Sequence, residues 1–299
     1  MSIATVKREI LVRHLEAWAP AALHRARRVV YAHGYADADE GAAAEAAVRV
    51  LADQTDLVRG RELSMVAVGE DLSTVAGRLA AAEREVGAPA GFSVHQLTGD
   101  TDALVPVGLQ AAGATRVPVF GCLDAAGASR PPAPATVAAL TAGKPAEVLL
   151  VLAPGVPGDP YRAAWPLVTA VELATGAEPG ELLIFGTASG KSLEGFKEAL
   201  WAVDEFAGVR YRDPGDPDRH LIDISLRPHP GPLRRELLAH LRTVGEASVT
   251  QLRTFALTET VYRAADTTRV LQTLIEAGAI TRRPQQGRLG GDVLISITR

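Results

Sequence analysis

Residues 185–192, FGTASGKS, join an apolar run to a helical one and carry the Gly, Lys and Ser of a phosphate-binding loop. That chemistry needs Gly-x-x-x-x-Gly-Lys-Ser/Thr, a length that lets successive backbone N–H groups wrap a phosphate. Here Gly186 and Gly190 enclose three residues instead of four, so a nucleotide phosphatase or kinase is not expected. The histidines His14, His24, His33, His95, His220, His229 and His240 form no pair at metal-ligand spacing with a third partner, and no metal is expected. The acidic run Asp213, Asp216, Asp218 lacks the spacing of a calcium loop and reads as a solvated turn. Cys122 is the single cysteine, so neither an internal disulfide nor a cysteine metal cluster is available. It sits in an apolar run and is expected to be buried and inert. No Gly-x-Ser-x-Gly elbow is present.

Alternating short apolar runs and helical stretches must position whatever chemistry there is. Residues 3–18 place Val6, Ile10, Leu11, Leu15 and Trp18 on one helical face. Strands are expected over 28–35, 63–68, 92–97, 117–123, 146–153, 181–188 and 219–226, with helices over 39–54, 73–86, 163–176 and 191–206. A further helix is expected around ATVAALTAG. Strands that are apolar throughout, alternating with helices, predict a parallel sheet covered on both faces. The chain has 299 residues, is 47% hydrophobic and 22% charged, and carries a net charge of −4, which suits an ordinary globular protein. Its longest apolar run, residues 148–153, is far short of the roughly 20 residues of a membrane helix. No export signal is visible, so a cytoplasmic location is expected.

The charge is unevenly spread. Residues 231–299 hold ten Arg and six Asp+Glu, a balance of +4, which leaves −8 for the rest. The segment RPHPGP (227–232) divides the chain into an acidic body, 1–230, and a basic tail, 231–299. Three helices followed by a strand, the turn PQQG and a last strand predict a winged helix-turn-helix in the tail. As a nucleic-acid reader it would present Arg263, Thr267 and Arg269 to a groove, and Arg282, Arg283 and Arg288 to phosphates. Docking of a protein partner and pure scaffolding remain open alternatives. The acidic body restricts any nucleic-acid contact to the tail.

The ordered blocks VKREILVRHLEAW, RVVYAHGYADADEG, FGCLDAAG, AEVLLVL and FGTASGKSLEGFKEALWAVD resemble the three-Cys-motif partner (TcmP) proteins over most of the chain. The resemblance implies a Rossmann-like body of the class I S-adenosylmethionine (SAM) methyltransferase type with a winged-helix tail. It also implies a partner that is a three-cysteine, radical-SAM-like protein. The family's glycine-rich Asp-Gly-Phe-Ala-Gly-Pro-Gly loop corresponds to His33, Gly34, Tyr35, Ala36, Asp37, Ala38 and Asp39. Such a loop needs glycines for close backbone approach and positive φ. Only Gly34 survives, and Asp37 and Asp39 add charge where the methionine carboxylate would lie, at about 1 kcal/mol or more each when partly desolvated. A degenerate SAM site is therefore expected; a remodelled loop holding a cation on Asp37, Asp39 and Glu40 is the alternative. Glu70 falls where a ribose acceptor would stand, and Asp100 where an adenine-contacting loop would run. Asp124 matches the acid that orients a nucleophilic nitrogen in amino-methyltransferases, but its Pro and aromatic companions are Ala125 and Ala126. The chain is thus expected to be a partner or nucleic-acid-binding subunit of a modification system. An active methyltransferase with Asp124 at the transfer site is the alternative.

Overall fold

A computed structural model describes residues 2–203 and 208–298. Helix α1 (Ile3–Arg25) begins where Ser2 accepts the Thr5 N–H, and it buries Val6, Ile10, Leu11, Leu15 and Trp18 as the apolar spacing predicts. Then follow β1 (Arg28–Gly34), α2 (Ala42–Ala52), the short α3 (Thr55–Val58), β2 (Glu62–Gly69), α4 (Ser73–Val86), β3 (Phe92–Thr98), α5 (Thr101–Ala111), β4 (Val119–Ala125), α6 (Pro134–Ala139) and β5 (Ala146–Leu152). The body continues through β6 (Leu167–Ala174), β7 (Glu181–Thr187), α7 (Gly190–Trp201), β8 (Arg210–Arg212) and β9 (Leu221–Asp223). The part of the helix expected over 191–206 that falls at 204–206 lies outside the described residues.

Among the described residues, the nine strands of the body form one sheet in the order β3-β2-β1-β4-β5-β7-β6-β8-β9. The first five strands pair in parallel, and β7 enters antiparallel between β5 and β6. Strands β8 and β9 add two further antiparallel pairings. The all-parallel sheet expected from the sequence is therefore corrected to a mixed one. The helix expected over 163–176 is corrected to strand β6. Pro166 disfavours a helical residue before it, and Trp165 is extended at φ −123°, ψ 128°. The last body strand shrinks to three residues, and β8 was not anticipated because its three residues offer no periodicity.

Two cores result, one on each face of the sheet. Tyr31, Phe120, Leu149 and Phe185 pack under α1 and α7 on one face, and Val30, Leu123, Leu150 and Ile184 belong to the other. Gly180 shows how tightly the β6–β7 connection closes. A Cβ there would lie 1.9 Å from the Leu173 carbonyl oxygen, and the Gly180 N–H donates to Glu172 Oε1 at 2.5 Å. Gly180→Ala is expected to lower stability by about 1–3 kcal/mol, read as a lower urea midpoint at unchanged slope.

Beyond residue 230 the chain forms α8 (Gly231–Val244), β10 (Glu246–Ser248), α9 (Val249–Glu259), α10 (Ala264–Glu276), β11 (Ile280–Arg283) and β12 (Leu294–Ile297). The three strands make a separate antiparallel sheet, β10-β12-β11. This segment is fastened to α7. Trp201 Nε1 donates to the Val261 carbonyl at 2.9 Å, and the fully buried Lys197 ammonium donates to the Thr260 carbonyl. Among the described residues, no helix is long and apolar enough to cross a membrane.

Candidate cofactor edge

Parallel strands bring their carboxyl ends to one edge of the sheet, and ligands of open α/β sheets bind there, where the strand order reverses. The reversal here lies between β1 and β4. A cleft of about 620 Å³ opens at that edge, lined by Tyr35, Asp37, Asp39, Glu70, Asp124 and, on its far side, Lys7 and Glu181. Glu181 reaches it because β7 is antiparallel, so its first residues stand beside the last ones of β5.

Asp124 is the penultimate residue of β4, and its Oδ1 accepts the Ala126 N–H at 3.2 Å. Its Oδ2 lies 2.7 Å from Lys7 Nζ, which also meets Glu181 Oε2 at 2.7 Å. Burial works against the Lys7 ammonium, but Asp124 and then Glu181 outweigh it, and the pKa is raised above its ordinary value. The candidate transfer-site acid is thus bound to a cation of the chain itself. Sequence reasoning missed both Lys7 and Glu181. The signal for Lys7 was present, because it stands four residues before Leu11 and seven before His14 on the buried face of α1.

The loop after β1 departs from a glycine turn. Gly34 is needed for space, not for positive φ, since a Cβ would lie 2.4 Å from Leu123 Cδ2 and 3.0 Å from Thr101 Cγ2. Positive φ falls instead on Tyr35 (56°), Asp39 (49°), Glu40 (53°) and Gly41 (79°). Three of these carry side chains, in a region where non-glycine residues are strained by about 1–3 kcal/mol each. Asp37 reaches across to β2, its Oδ2 accepting the Asp71 N–H at 3.0 Å and its Oδ1 lying 2.7 Å from where a Gly69 Cβ would stand. Asp39 faces Arg8 at 3.7 Å. Glu70 is exposed immediately after β2 and lines the cleft, as a ribose acceptor would.

The other expected cofactor contacts fall elsewhere. His33 is buried on β1 outside the cleft lining, with its Nδ1 2.7 Å from Tyr31 Oη. Burial lowers its pKa to about 4, only partly opposed by Asp124, so the ring is neutral at pH 7. Asp100 caps α5 through the Asp102 N–H at 2.9 Å and takes Arg130 Nη2 at 2.6 Å. It does not line the cleft.

These residues do not fit SAM held in the usual way. The Asp37 carboxylate bridges the β1 loop to β2, across the crevice that the cofactor would span. Where the methionine carboxylate would need donors, Asp37 and Asp39 offer acceptors. The one cation deep in the cleft is committed to Asp124 and Glu181.

The tail arginines also differ from expectation. Arg263 is corrected from a groove contact to a buried fastener. It is 7% exposed and bonds Asp266 at 2.9 Å, Glu198 at 3.2 Å and the Leu226 carbonyl at 2.8 Å. Thr267 beside it is fully buried. Arg269 donates to Asp266 Oδ1 at 3.2 Å. Arg282 folds onto its own turn, donating to the carbonyls of Pro284, Gly287 and Arg288. Arg283 pairs with Glu246 at 3.1 Å, and Arg288 is exposed.

FGTASGKS lies at the opposite edge from the cleft, where Thr187 pairs with Glu147 at the start of β5. Ser189 caps α7 by accepting the Ser192 N–H at 3.2 Å, so its hydroxyl serves the helix. Cys122 is buried, with its thiol pKa pushed up by desolvation. Asp216 and Asp218, expected in a solvated turn, and His220, expected at the start of the last body strand, offer ligand atoms within 4.8 Å of one another, and His220 Nδ1 lies 2.7 Å from Asp216 Oδ2.

No protein family and no curated protein sequence matches the chain. Among solved structures, it is similar to a spermidine synthase in complex with the transition-state analogue AdoDATO and to spermidine synthase from Thermotoga maritima. Each alignment has a TM-score of 0.37 and 10% identity and covers 62% of this chain. The chain spans 62% of the length of each of those structures. The class defined by the sheet itself is an α/β protein with a Rossmann-like mixed sheet: five parallel strands in the order 3-2-1-4-5, then β7 antiparallel between β5 and β6.

Proposed function

We propose that this chain is a methyltransferase-type subunit that works by binding a partner, with a cofactor edge that does not take SAM in the usual manner. One observation carries the reading: Lys7 spans Asp124 and Glu181 at 2.7 Å each, in the crevice that catalysis would need open. An amine acceptor needs a free carboxylate to orient it and take its proton. With Lys7 in place, Asp124 is already satisfied and its charge balanced.

The ordered blocks shared with three-Cys-motif partner proteins support a partner role, and a three-cysteine, radical-SAM-like protein is the partner that this resemblance suggests. The order α8-β10-α9-α10-β11-β12 supports a winged-helix unit over 231–299. Its use for docking a protein is favoured over nucleic acid, because four of the five candidate arginines are already engaged within the chain. Arg288 and the outer face of Arg283 are what remains for phosphate contact.

Calorimetric titration of the full chain with SAM is expected to show no saturable heat up to about 1 mM, a limit near −4 kcal/mol. Micromolar binding by the natural protein would overturn the reading and restore the active methyltransferase with Asp124 at the transfer site.

A further inference from the structure

At the edge of the sheet opposite the cleft, α1, the first turns of α7 and the start of β5 enclose a recess of about 160 Å³. Its floor is polar: Glu147 and His14 line it, 2% and 4% exposed, and pair at 3.0 Å through Glu147 Oε2 and His14 Nε2. Its walls are apolar, with Trp18, Ala22 and Pro145. Its mouth is cationic, where the exposed Arg25 and Lys191 make no ion pair among the described residues. We propose that this recess binds a small straight-chain amino acid, with its ammonium on Glu147 and its carboxylate at Arg25 and Lys191.

Glu147 separates the recess from an ordinary surface dent. A carboxylate offers about four lone-pair sites, and this one fills a single site within the chain. Its Oε1 receives no hydrogen bond among the described residues, yet it is not one of the side-chain atoms sealed from solvent. Because so little of the residue is accessible, the recess it lines is the way to that oxygen. The partner is fixed in place: Phe120, Phe185 and Phe196 meet the His14 ring edge-on, with centroids 4.8, 4.9 and 5.8 Å away. Those rings bring no hydrogen-bond donor to the carboxylate. A carboxylate taken out of water is costly until its acceptors are met, and an ammonium brings both the missing donors and the opposite charge.

The mouth selects the other end of the ligand. Arg25 is the last residue of α1 and Lys191 the second of α7, so two cations from different helices stand on one rim. The first turn of α7 adds the positive end of its dipole. A bare amine would leave both cations without a partner, and a bare anion would leave Glu147 without a donor. A phosphate gains little, because Ser189 already takes the Ser192 N–H and the loop before it is one residue too short to wrap one. Between floor and mouth the apolar walls call for methylenes. An apolar cavity of about 150 Å³ admits benzene, so a spacer of a few carbons fits here.

The test is calorimetry of the full chain with glycine, β-alanine, γ-aminobutyrate, δ-aminovalerate and ε-aminocaproate, against n-pentylamine and n-valerate, which keep one charged end each. Saturable one-site binding that peaks at one chain length is expected, with both one-ended analogues at least about tenfold weaker. Glu147→Gln should weaken the best ligand about tenfold or more. Because that change also touches a buried pair, Arg25→Gln/Lys191→Gln is the companion variant. Its side chains are exposed, so its melting temperature should stay unchanged while binding falls by a similar factor. Three outcomes would each overturn the proposal: no saturable binding by any of the five amino acids, equal binding by n-pentylamine or n-valerate, or undiminished binding by the Arg25/Lys191 variant.

Discussion

Replacing Lys197 by methionine raises stability at pH 7 and lowers it at pH 10, so the urea midpoints of the two proteins cross near pH 9. The Lys197 side chain is fully buried on α7, and desolvation lowers its pKa from 10.5 to about 7 despite Asp213, Glu236 and Glu259. Between those values the unfolded chain binds the proton and the folded chain does not, so stability rises with pH across that window. At pH 7 the shift costs the folded state on the order of 4 kcal/mol. Methionine removes that cost but leaves the Thr260 carbonyl without its donor, a loss of about 1–3 kcal/mol. The net gain at neutral pH is therefore about 1–3 kcal/mol, and it disappears as the lysine of the unfolded chain approaches its own pKa.

Other groups leave this window clear. The Glu236 carboxyl, raised from 4.5 to about 7, makes stability fall as pH rises between those values. His33, lowered from 6.5 to about 4, makes it rise over nearly the same range. The two largely cancel below pH 7. Above pH 9 the raised pKa of the buried Cys122 thiol begins to act against the folded state. A stability profile of the natural protein that is flat between pH 7 and 9 would sink the prediction, as would an identical slope in the methionine variant.

Arg263→Ala should destabilise the protein by about 3–5 kcal/mol, through the C-terminal segment. The guanidinium is the main partner of Asp266, which is 3% exposed, and it also ties Glu198 on α7 and the Leu226 carbonyl to α10. Removing it leaves a buried carboxylate held by Arg269 and the backbone N–H of residue 263, with no buried counter-charge. The double variant Arg263→Met/Asp266→Leu removes both charges and is expected to recover much of the loss, because an apolar pair of similar volume needs no compensation. Thermal melts of the three proteins decide the matter. A single variant as stable as the natural protein would mean that Arg263 is free for some external contact, as its sequence position at the start of the third tail helix first suggests.

Much of this architecture was legible in the chain. The alternation of apolar runs and helical stretches located β1 to β5, β7, α2, α4, α6 and α7, because strands buried on both faces must be apolar at every position, but it missed α5. The stripe of α1 was legible as well. Its polar members were not recognised as a set, although Lys7 and His14 share the buried side with Leu11. A stripe says that a side chain turns inward, and only the sheet behind it says what it meets. Lys7 meets Asp124 and Glu181 at one edge, and His14 meets Glu147, 3.0 Å away, near the other.

The sequence by itself determined the α/β class of the body, the three helices and last two strands of the tail, and the scarcity of glycine in the loop after β1. These depend on local periodicity and backbone preference, which a chain carries position by position. Tertiary structure alone decided that β6 is a strand, that Asp124 is neutralised, and that Arg263 is buried. Each of these depends on residues far apart in sequence. Lys7, Asp124 and Glu181 come within 2.7 Å only because β7 runs antiparallel beside β5 and α1 lies across the sheet. Burial and charge pairing are properties of that assembled surface, so they cannot be read from any one segment of the chain.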